Sequence, residues 1–394
     1  MQKTFDEVVL FARTGLNPRQ NFKLGQGNNN YITIKNIKNN ALVIDGNTDV
    51  VDDEAIKLIH KRSQIKKGDI LFASIGRMGD MYIIEEEPNG WDINESVFAF
   101  TLDTNIVRQK YFYYIFKVKS TVDYLVSNSS GSTFKSIKMN QLKKMVFEIP
   151  TLEEQDKIVA TLDRVYNVVE MRKQELISLD NLIKARFVEM FGDPIQNTKG
   201  WNTDTCKNLT SKIGSGATPK GGRESYGTEG ISLIRSMNVY NNRFEYKDLA
   251  YITDEQADKL SNVTIEENDV LLNITGASVA RCCVVPKELI PARVNQHVAI
   301  VRCKDRLLPE FLCSMFTEDS YQRLLWSIAT SGGATREAIT KQQIEDFVLV
   351  VPPIELQQQF VNFCKQVDKS KVVVKKALDQ AQLLFDSLMQ EYFG

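Results

Sequence analysis

The feature that most constrains the fold of this 394-residue chain is an internal repeat. Residues Ile65–Gly76 match Ile265–Gly276 at an offset of 200 positions. The heptapeptide IPTLEEQ at Ile149–Gln155 matches VPPIELQ at Val351–Gln357 at an offset of 202. Because the two offsets differ by only two residues, the sequence predicts two tandem repeats. They span residues 1–192 and 193–394.

Each repeat divides into a part with short strand-like runs and a part with a long helical pattern. The first parts alternate apolar runs with Gly- and Asn-rich turns, which predicts mixed α/β globular domains with short helices near 109–127 and 307–327. The second parts contain no internal Pro or Gly, and Thr151–Glu154 fits a capping box. The predicted boundaries are 1–150 for domain 1, 151–192 for helix 1, 193–350 for domain 2 and 351–394 for helix 2.

Both long helices carry apolar residues at alternating steps of three and four, the heptad pattern. Arg172, Arg186 and Lys371 interrupt this pattern and predict a marginal coiled coil. A helix of this length extends for about 60 Å and needs a partner for its apolar stripe. The predicted seam positions are Leu162, Val165, Val169, Leu176, Leu179 and Ile183 in helix 1, and Val367, Val374, Leu378, Phe385 and Leu388 in helix 2.

The economical partner for each helix is the other copy of the repeat. A pseudo-two-fold axis would bury both seams against each other and would close the arrangement, so we expect antiparallel helices. The predicted fold class is therefore α+β. It consists of two mixed α/β globular domains joined by two long antiparallel coiled-coil helices.

Composition and charge argue against several classes of protein. The formal net charge is −1, so any binding of nucleic acid must depend on local patches. The chain has no run of 18 apolar residues and no apolar signal-peptide core near its start, so the expected location is the cytoplasm, without membrane contact. The six cysteines form no Cys-x-x-Cys pair and only two histidines occur, so we expect buried free thiols and no metal site.

The sequence also lacks a recognisable catalytic constellation. There is no P-loop motif, and the glycine-rich stretch Gly214–Gly222 has Pro219 where a nucleotide-binding helix would begin. We interpret this stretch as a turn or a loop beside a DNA backbone. The Asn-Pro-Pro-aromatic signature of amino-methyltransferases is missing. We interpret His297, in an apolar strand, as a core residue or a residue that supports a neighbouring site, and His60 as a surface residue.

Two loops at equivalent positions of the repeat are candidates for binding nucleic acid. Residues 127–133 and 330–335 are rich in Ser, Thr, Asn and Gly. Their backbone amides and hydroxyls can hold phosphates, and neighbouring Arg and Asn side chains can read base edges. Basic residues clustered beside such loops are more commonly part of a solvated surface than of a nucleic-acid site, so the residues alone leave both interpretations open.

The motifs resemble those of the DNA specificity (S) subunits of type I restriction-modification systems, and the resemblance covers the full chain. The most specific motif opens each long helix, at Ile149–Gln155 and Val351–Gln357. The first repeat departs from the family pattern at residues 94–96 and 133–135, which leaves the choice of base-contacting residues open. Further matching motifs are Gly68–Gly76, Asn268–Gly276, Asn295–Ala299 and Ser331–Ile339.

The resemblance implies two target recognition domains, each reading one half of a bipartite, asymmetric site in double-stranded DNA. The paired helices would be a spacer and the docking surface for two methyltransferase (M) subunits, and restriction (R) subunits would join the complex. The S subunit itself would be non-catalytic and would bind no cofactor. S-adenosylmethionine and ATP with Mg²⁺ would be bound by the partner subunits.

Candidate DNA contacts are polar and basic residues of the loops, and for each the alternative is a structural turn or surface residue. Leu152, Gln155, Ile354 and Gln357 are assigned to helix packing and M-subunit contact instead. The candidates are Lys35, Asn36, Arg77, Ser132, Thr133 and Lys135 in domain 1, and Lys220, Arg223, Arg235, Ser236, Ser278, Thr335 and Arg336 in domain 2.

Two other functions compete with this interpretation. A non-catalytic coiled-coil adaptor without sequence-specific DNA binding would have the same repeat and the same helices. A fused methyltransferase or nuclease would need a catalytic motif for which the two repeats leave no room.

Overall fold

The computed structural model describes residues 1–38, 40–131, 134–331 and 337–394. These residues form two compact units. Unit 1 comprises Met1–Arg172 with Lys376–Gly394, and unit 2 comprises Lys173–Lys375. Each unit therefore contains one globular domain together with segments of both long helices. The boundaries that the sequence predicts between domains and helices stay predictions.

The first repeat begins with a mixed domain and ends in a long helix. Its strands, within the described residues, are β1 (Gln2–Thr4), β2 (Val9–Thr14), β3 (Asn29–Ile32), β4 (Ile37–Lys38), β5 (Ala41–Leu42), β6 (Val50–Val51), β7 (Ile70–Ala73), β8 (Met81–Ile83), β9 (Trp91–Ile93), β10 (Val97–Leu102) and β11 (Val146–Glu148). Its helices are α1 (Phe5–Val8), α2 (Asp53–Ser63), α3 (Gln109–Ile115), α4 (Lys119–Ser127), α5 (Met139–Leu142) and α6 (Leu152–Phe191).

The second repeat has the same order of main elements. Its described strands are β12 (Thr203–Thr205), β13 (Thr210–Ser215), β14 (Ile231–Ile234), β15 (Val239–Tyr240), β16 (Arg243–Phe244), β17 (Ala250–Ile252), β18 (Val270–Asn273), β19 (Cys282–Val284), β20 (Ala292–Val294), β21 (Val298–Cys303) and β22 (Val348–Val350). Its α-helices are α7 (Cys206–Leu209), α8 (Asp254–Asp258), α9 (Pro309–Thr317), α10 (Asp319–Thr330), α11 (Lys341–Glu345) and α12 (Ile354–Phe393). Short 3-10 helices lie at Gly222–Ser225, Ser236–Asn238, Ser261–Val263, Gly276–Ser278 and Lys287–Leu289.

The sheets of the two repeats have the same topology. An antiparallel four-stranded sheet has the order β2-β10-β7-β8 in unit 1 and β13-β21-β18-β19 in unit 2. A three-stranded sheet has the order β6-β3-β9 or β17-β14-β20, with one parallel pair in each. The strand that precedes the long helix pairs with the first strand of its repeat, β11 with β1 and β22 with β12. The predicted internal repeat is confirmed, and so are the short helices, seen as α3 with α4 and α9 with α10.

The long helices run antiparallel to each other within each unit. In unit 1, the ring of Tyr166 in α6 lies 5.9 Å from the ring of Phe385 in α12. In unit 2, Phe187 of α6 and Phe360 of α12 are 5.5 Å apart, and Lys371 binds Asp180 at 2.7 Å. In both units later residues of α6 face earlier residues of α12. The predicted fold class is confirmed.

The predicted seam residues face the interior of the helix pair in varying degrees. Leu162, Val169, Val367 and Val374 are buried. The half-buried ones are Val165, Leu176, Leu179, Ile183, Leu378, Phe385 and Leu388. Arg186 reaches past the seam, where its guanidinium lies 5.8 Å from the ring of Phe363 and binds Glu189 at 2.8 Å. The charged seam positions therefore keep partners without leaving the helices.

The capping box predicted at the start of α6 is confirmed. The backbone N–H and the hydroxyl of Thr151 both donate to the carboxylate of Glu154, at 2.9 and 2.8 Å. The amide of Glu154 donates back to the Thr151 hydroxyl oxygen at 3.3 Å. These bonds satisfy backbone donors that a helix start leaves without partners.

The Gln of the helix-opening motif ties α6 to the domain before it. Gln155 is fully buried. Its Oε1 accepts from the amide of Arg108 at 2.8 Å, and its Nε2 donates to the carbonyls of Ile106 and Pro150, both at 2.9 Å. One side chain thus satisfies three backbone groups at the junction of α3, β11 and α6.

The second repeat has the same arrangement. Gln357 is fully buried, and its Oε1 accepts from the amide of Leu308 at 2.9 Å. Its Nε2 donates to Arg306 at 3.1 Å and to Pro352 at 2.9 Å. Because the side-chain bonds are the same in both repeats, this Gln of the motif has a structural role in helix packing.

A buried aspartate before the third strand of each large sheet binds an arginine. Asp69 binds Arg13 of β2 at 2.7 Å, and Asp269 binds Arg302 of β21 through two bonds of 2.7 and 2.8 Å. The two arginines lie at different positions of the repeated sheet: Arg13 is on β2, whereas Arg302 is on β21, the counterpart of β10, which pairs with β2. The repeat therefore preserves the ion pair but not the position of its cation.

Two glycines at equivalent positions, one in each repeat, have no room for a side chain. A Cβ on Gly15 would lie 1.6 Å from the carbonyl oxygen of Ile93, and one on Gly216 would lie 1.8 Å from that of Val294. A close backbone approach therefore explains Gly216 of the glycine-rich stretch. The stretch begins inside β13, at Gly214, so its interpretation as a turn or loop is wrong at that end.

All six cysteines are free, with Cys206, Cys282, Cys283 and Cys313 buried. Burial raises the pKa of the Cys206 thiol to about 12. In the described ranges no group of three or more His, Cys, Asp or Glu side chains could hold a metal ion. Helices long and apolar enough to cross a membrane are likewise missing from the described part of the chain.

Candidate nucleic-acid interface

Three loops of unit 1 meet at one place, and they carry most of the candidate residues of domain 1. We call residues 33–37, 74–80, 128–131 and 134–137 the first loop cluster. The amide of Gly76 donates to the carbonyl of Lys135 at 3.0 Å, and Ile137 donates to Ser74 at 2.9 Å. The guanidinium of Arg77 donates to the carbonyl of Ile37 at 2.9 Å. The structure thus brings Lys35, Arg77 and Lys135 onto one loop cluster.

The cations of the first loop cluster differ in how far they are already paired. Lys35 and Lys135 are exposed. Arg77 is half exposed, and its Nε lies 3.4 Å from the carboxylate of Asp80. Asp80 also lies 3.8 Å from Lys117. Burial lowers the pKa of Lys117, and the charge of Asp80 acts in the opposite direction. Two lysines therefore remain as the most accessible cations of this cluster.

Asn36 is buried and its amide group is used within its own turn. Its Oδ1 accepts from the amide and the hydroxyl of Thr33 at 3.0 and 3.2 Å. Its Nδ2 donates to Val43 at 3.0 Å and Thr48 at 3.1 Å. Asn238 holds the equivalent turn of the second repeat. The geometry gives Asn36 a turn-forming role and leaves it no free polar atom for a base edge.

Unit 2 contains an equivalent arrangement, the second loop cluster, which we define as residues 235–238, 274–281 and 337–339. The amide of Gly276 donates to the carbonyl of Glu337 at 2.9 Å. The Nδ2 of buried Asn273 donates to the carbonyl of Ser236 at 2.8 Å and to the hydroxyl of Ser278 at 3.3 Å. Ser236 and Ser278, both candidates, are therefore held together by Asn273.

The remaining candidates of domain 2 lie around this cluster. Arg235 stacks on Tyr226, with 5.3 Å between the guanidinium and the ring centre, and it donates to the carbonyl of Asp248. Lys220 and Arg223 are exposed on the segment between β13 and β14. Four candidates lie outside the described residues, namely Ser132, Thr133, Thr335 and Arg336.

A cavity of about 630 Å³ opens in the second loop cluster. Its lining includes Ser236, Ser278, Arg281, His297 and Glu337. The volume lies in the range of sites that bind small organic groups, and the lining combines hydrogen-bond donors with acceptors. The arrangement can therefore hold a polar planar group at its mouth.

The placement of His297 corrects the sequence interpretation. It lies in the turn before β21, not within the strand, and it is half-buried at the cavity. Its Nδ1 lies 2.5 Å from the hydroxyl of Thr275. The apolar run that follows it, Val298–Cys303, made the position look like a core position. The surface interpretation of His60 is confirmed, since its side chain is 57% exposed.

Sequence reasoning missed a stack of charged and aromatic side chains beside the cavity. The guanidinium of Arg281 lies 4.5 Å from the ring centre of Tyr240, and that of Arg243 lies 4.7 Å from the same ring. A signal was available in the repeat, because Arg281 directly precedes β19 where Asp80 directly precedes β8. The two repeats therefore have opposite charges at this equivalent loop position.

Comparison with known proteins identifies a family. A model of the type I restriction modification DNA specificity domain matches residues 2–181 and 198–381, once in each repeat. The type I restriction enzyme MjaIX specificity subunit of Methanocaldococcus jannaschii is 23% identical over 359 residues, 82% of this chain and 78% of the relative. The EcoBI specificity subunit of Escherichia coli is 20% identical over 336 residues, 76% of this chain and 68% of the relative.

Solved structures share the fold. The S subunit of a type I restriction-modification system from M. genitalium superposes with a TM-score of 0.57 at 15% identity, covering 100% of this chain and 96% of that one. A chain from a structure that describes complex assembly and conformational transition of the type I R-M system gives a TM-score of 0.56 at 16% identity, covering 99% and 96%. At these identities the similarity concerns the fold.

Proposed function

The chain belongs to the family of type I restriction-modification DNA specificity proteins, and from this premise we propose that it is the subunit that selects the DNA sequence. In this proposal each domain reads one half of a bipartite, asymmetric site in double-stranded DNA. The chain itself is non-catalytic and binds no cofactor. S-adenosylmethionine is bound by methyltransferase subunits, and ATP with Mg²⁺ is bound by restriction subunits. Action on cellular DNA places the chain in the cytoplasm.

The observation that carries the proposal is the pair of loop clusters. Both clusters are built on the same sheet topology and are held by equivalent backbone bonds, from Gly76 to Lys135 and from Gly276 to Glu337. Their side chains differ, with exposed lysines in the first and serines with stacked arginines in the second. Similar frames with different polar groups suit the reading of two different base sequences.

The surface of the long helices supports a scaffold role. Large apolar side chains point away from the seam on both helices, and Met171, Val372 and Leu383 are 62%, 69% and 69% exposed. Exposed apolar groups in this number are typical of surfaces that bind other proteins. We therefore infer that α6 and α12 bind two methyltransferase subunits and that restriction subunits join this complex.

The direct test of the proposed function is to delete the gene for this chain in cells that contain its methyltransferase partner. We expect single-molecule sequencing to detect methyl-adenine at one bipartite motif in the parent cells and to lose that motif on deletion. Restoring the chain on a plasmid should restore the same motif. If the motif persists without the chain while the methyltransferase is active, the coiled-coil adaptor becomes the better function.

Inserting seven residues, one heptad, into segment 165–185 should change the number of unspecified bases between the half-sites. The two half-sites should keep their sequences, because the loop clusters are outside the inserted segment. One heptad preserves the apolar period of α6. A methylation map of the variant measures both quantities, with a seven-residue substitution to alanine-rich sequence of unchanged length as the control. An unchanged spacing would contradict the role of the helix as a spacer.

A further inference from the structure

We propose that the cavity of the second loop cluster is where domain 2 reads a base pair in the major groove, and that Arg281 selects guanine there. This inference rests on the proposed function, since it assigns a base-reading group to a domain that reads DNA. It adds the site, the residue and the chemistry of the base.

Arg281 lies at the cavity, and its guanidinium is available to bind a ligand. It lines the cavity with Ser236 and Ser278. Its guanidinium stacks on Tyr240 and forms no hydrogen bond or ion pair with any side chain of the described residues. Arg243, on the same ring, is already paired with Glu245 at 3.5 Å. Arg281 therefore keeps its five N–H donors available for a ligand.

The stack on Tyr240 restricts the orientation of the Arg281 guanidinium. A guanidinium that lies against an aromatic ring has a restricted orientation, so little rotational freedom is lost when it binds a planar partner. Arginine recognises guanine through two parallel hydrogen bonds, to O6 and N7, in the major groove. The stack thus holds the guanidinium plane of Arg281 in one orientation, and the strength of the two parallel bonds to guanine depends on that orientation.

The other groups of the cavity fit the second base of the pair. Glu337 lines the same cavity, and a carboxylate is the acceptor that matches the N4 amino group of cytosine. The hydroxyls of Ser236 and Ser278 can donate or accept. Asn273 holds both serines, while its own Oδ1 has no hydrogen-bond partner among the described residues. A donor from Arg281 and an acceptor from Glu337 together match a G·C pair.

Among its described residues, domain 1 has no equivalent of this arrangement, which supplies an internal control. The last residue of β4 is Lys38 where β15 ends in Tyr240, and the first residue of β5 is Ala41 where β16 begins with Arg243. Asp80 takes the place of Arg281 before β8. Changes at Arg281 should therefore affect one half-site and leave the other unchanged.

The test compares Arg281→Ala and Arg281→Lys in the full chain, co-expressed with its methyltransferase partner. Methyl-adenine mapping should show the same first half-site and the same spacing in both variants. One G·C position of the second half-site should accept other base pairs, with discrimination reduced by about 5- to 150-fold. Lysine keeps the charge but cannot form the paired bonds, so Arg281→Lys separates base reading from phosphate contact.

The matched control is Arg243→Ala, which removes the other arginine on Tyr240. We expect an unchanged motif, because Arg243 is already paired with Glu245 and does not supply the donors that read the base. Tyr240→Phe keeps the ring and should retain the motif. Tyr240→Ala removes the stack and should relax the same position as Arg281→Ala.

Three results would overturn the inference. They are an unchanged motif in Arg281→Ala, full selectivity in Arg281→Lys, and relaxation at a position that is not G·C in the parent motif. If Arg281→Ala gives no folded chain by circular dichroism, Arg281→Lys and Tyr240→Ala decide the question alone. The proposed function fails separately, if the parent chain directs no bipartite motif.

Discussion

Replacing Gln357 by Ala is expected to lower the free energy of unfolding of unit 2 by about 3 to 5 kcal/mol. The buried amide satisfies the N–H of Leu308 and the carbonyls of Arg306 and Pro352. Alanine leaves all three backbone groups without these partners, and each such loss costs about 1 to 3 kcal/mol when water does not enter. The effect should be large because the groups join three elements of the unit.

Tryptophan fluorescence allows this loss to be measured in unit 2 alone. The three tryptophans are Trp91 in unit 1 and Trp201 and Trp326 in unit 2. In a Trp91→Phe chain, urea unfolding followed by fluorescence therefore reports on unit 2. Gln358→Ala, on the exposed side of the same helical turn, is the control and should change stability by less than about 0.5 kcal/mol.

An equal effect of the two substitutions would show that the motif Gln has no special structural role. A large loss for Gln357→Ala with none for Gln358→Ala would assign the motif to the anchoring of the helix. That result would also explain why the motif occurs at the start of both long helices. The assignment to M-subunit contact would then rest on the exposed residues of the helices and not on Gln155 or Gln357.

Features that depend on local sequence were predictable. The repeat follows from matching segments. The long helices follow from a heptad pattern with no internal Pro or Gly, and the capping box at Thr151 follows from the identity of two residues three positions apart. The antiparallel arrangement followed from an argument about symmetry. Each of these needs only near neighbours in sequence or the repeat itself.

Features that depend on the meeting of distant loops were not predictable. Asn36 was chosen for its chemistry, yet its amide group is used by a turn that Thr48, twelve residues later, completes. His297 looked like a strand residue because the apolar run begins directly after it. Arg281 and Tyr240 are 41 positions apart in the sequence. They meet because the turn after Tyr240 bonds to β19: the amide of Asn242 donates to the carbonyl of Cys282 at 2.8 Å, and the amide of Cys282 donates to Oδ1 of Asn241 at 3.3 Å. The residues that line the cavity come from separate segments, so no pattern in the linear sequence indicates it.

Both repeats contain an ion pair between a buried aspartate and an arginine, but the arginine comes from a different strand position in each repeat. Strand pairing places Arg13 opposite Ala99 in unit 1. In unit 2 it places Gly214 opposite Ile300, so Gly214 is the counterpart of Arg13. Thr101 of β10 corresponds to Arg302 of β21, and both donate to the buried aspartate of their unit. Each arginine also donates to an equivalent backbone carbonyl, that of Gln64 or Thr264. The guanidinium that binds the buried aspartate can therefore come from either of two strand positions of the repeated sheet.

Moving the arginine of unit 2 to the position it has in unit 1 should consequently rescue a severe defect. Arg302→Thr leaves the fully buried carboxylate of Asp269 without its cation and should cost about 3 to 5 kcal/mol. Adding Gly214→Arg should recover about half of that loss or more, as a favourable coupling of about 2 kcal/mol in a double-mutant cycle. A Cβ at position 214 has room, since the nearest atom to it, in the side chain of Lys212, is 4.0 Å away.

The same fluorescence experiment in the Trp91→Phe chain measures all four members of this cycle. Gly214→Arg alone is the control, and it should change the stability by less than about 1 kcal/mol because Asp269 already has its partner. Additive effects of the two substitutions would mean that the guanidinium cannot reach Asp269 from β13. A favourable coupling would mean that the fold requires a cation beside the buried carboxylate but does not require that cation to come from one particular strand. The neighbouring loops can then change their cations without loss of the frame that holds them.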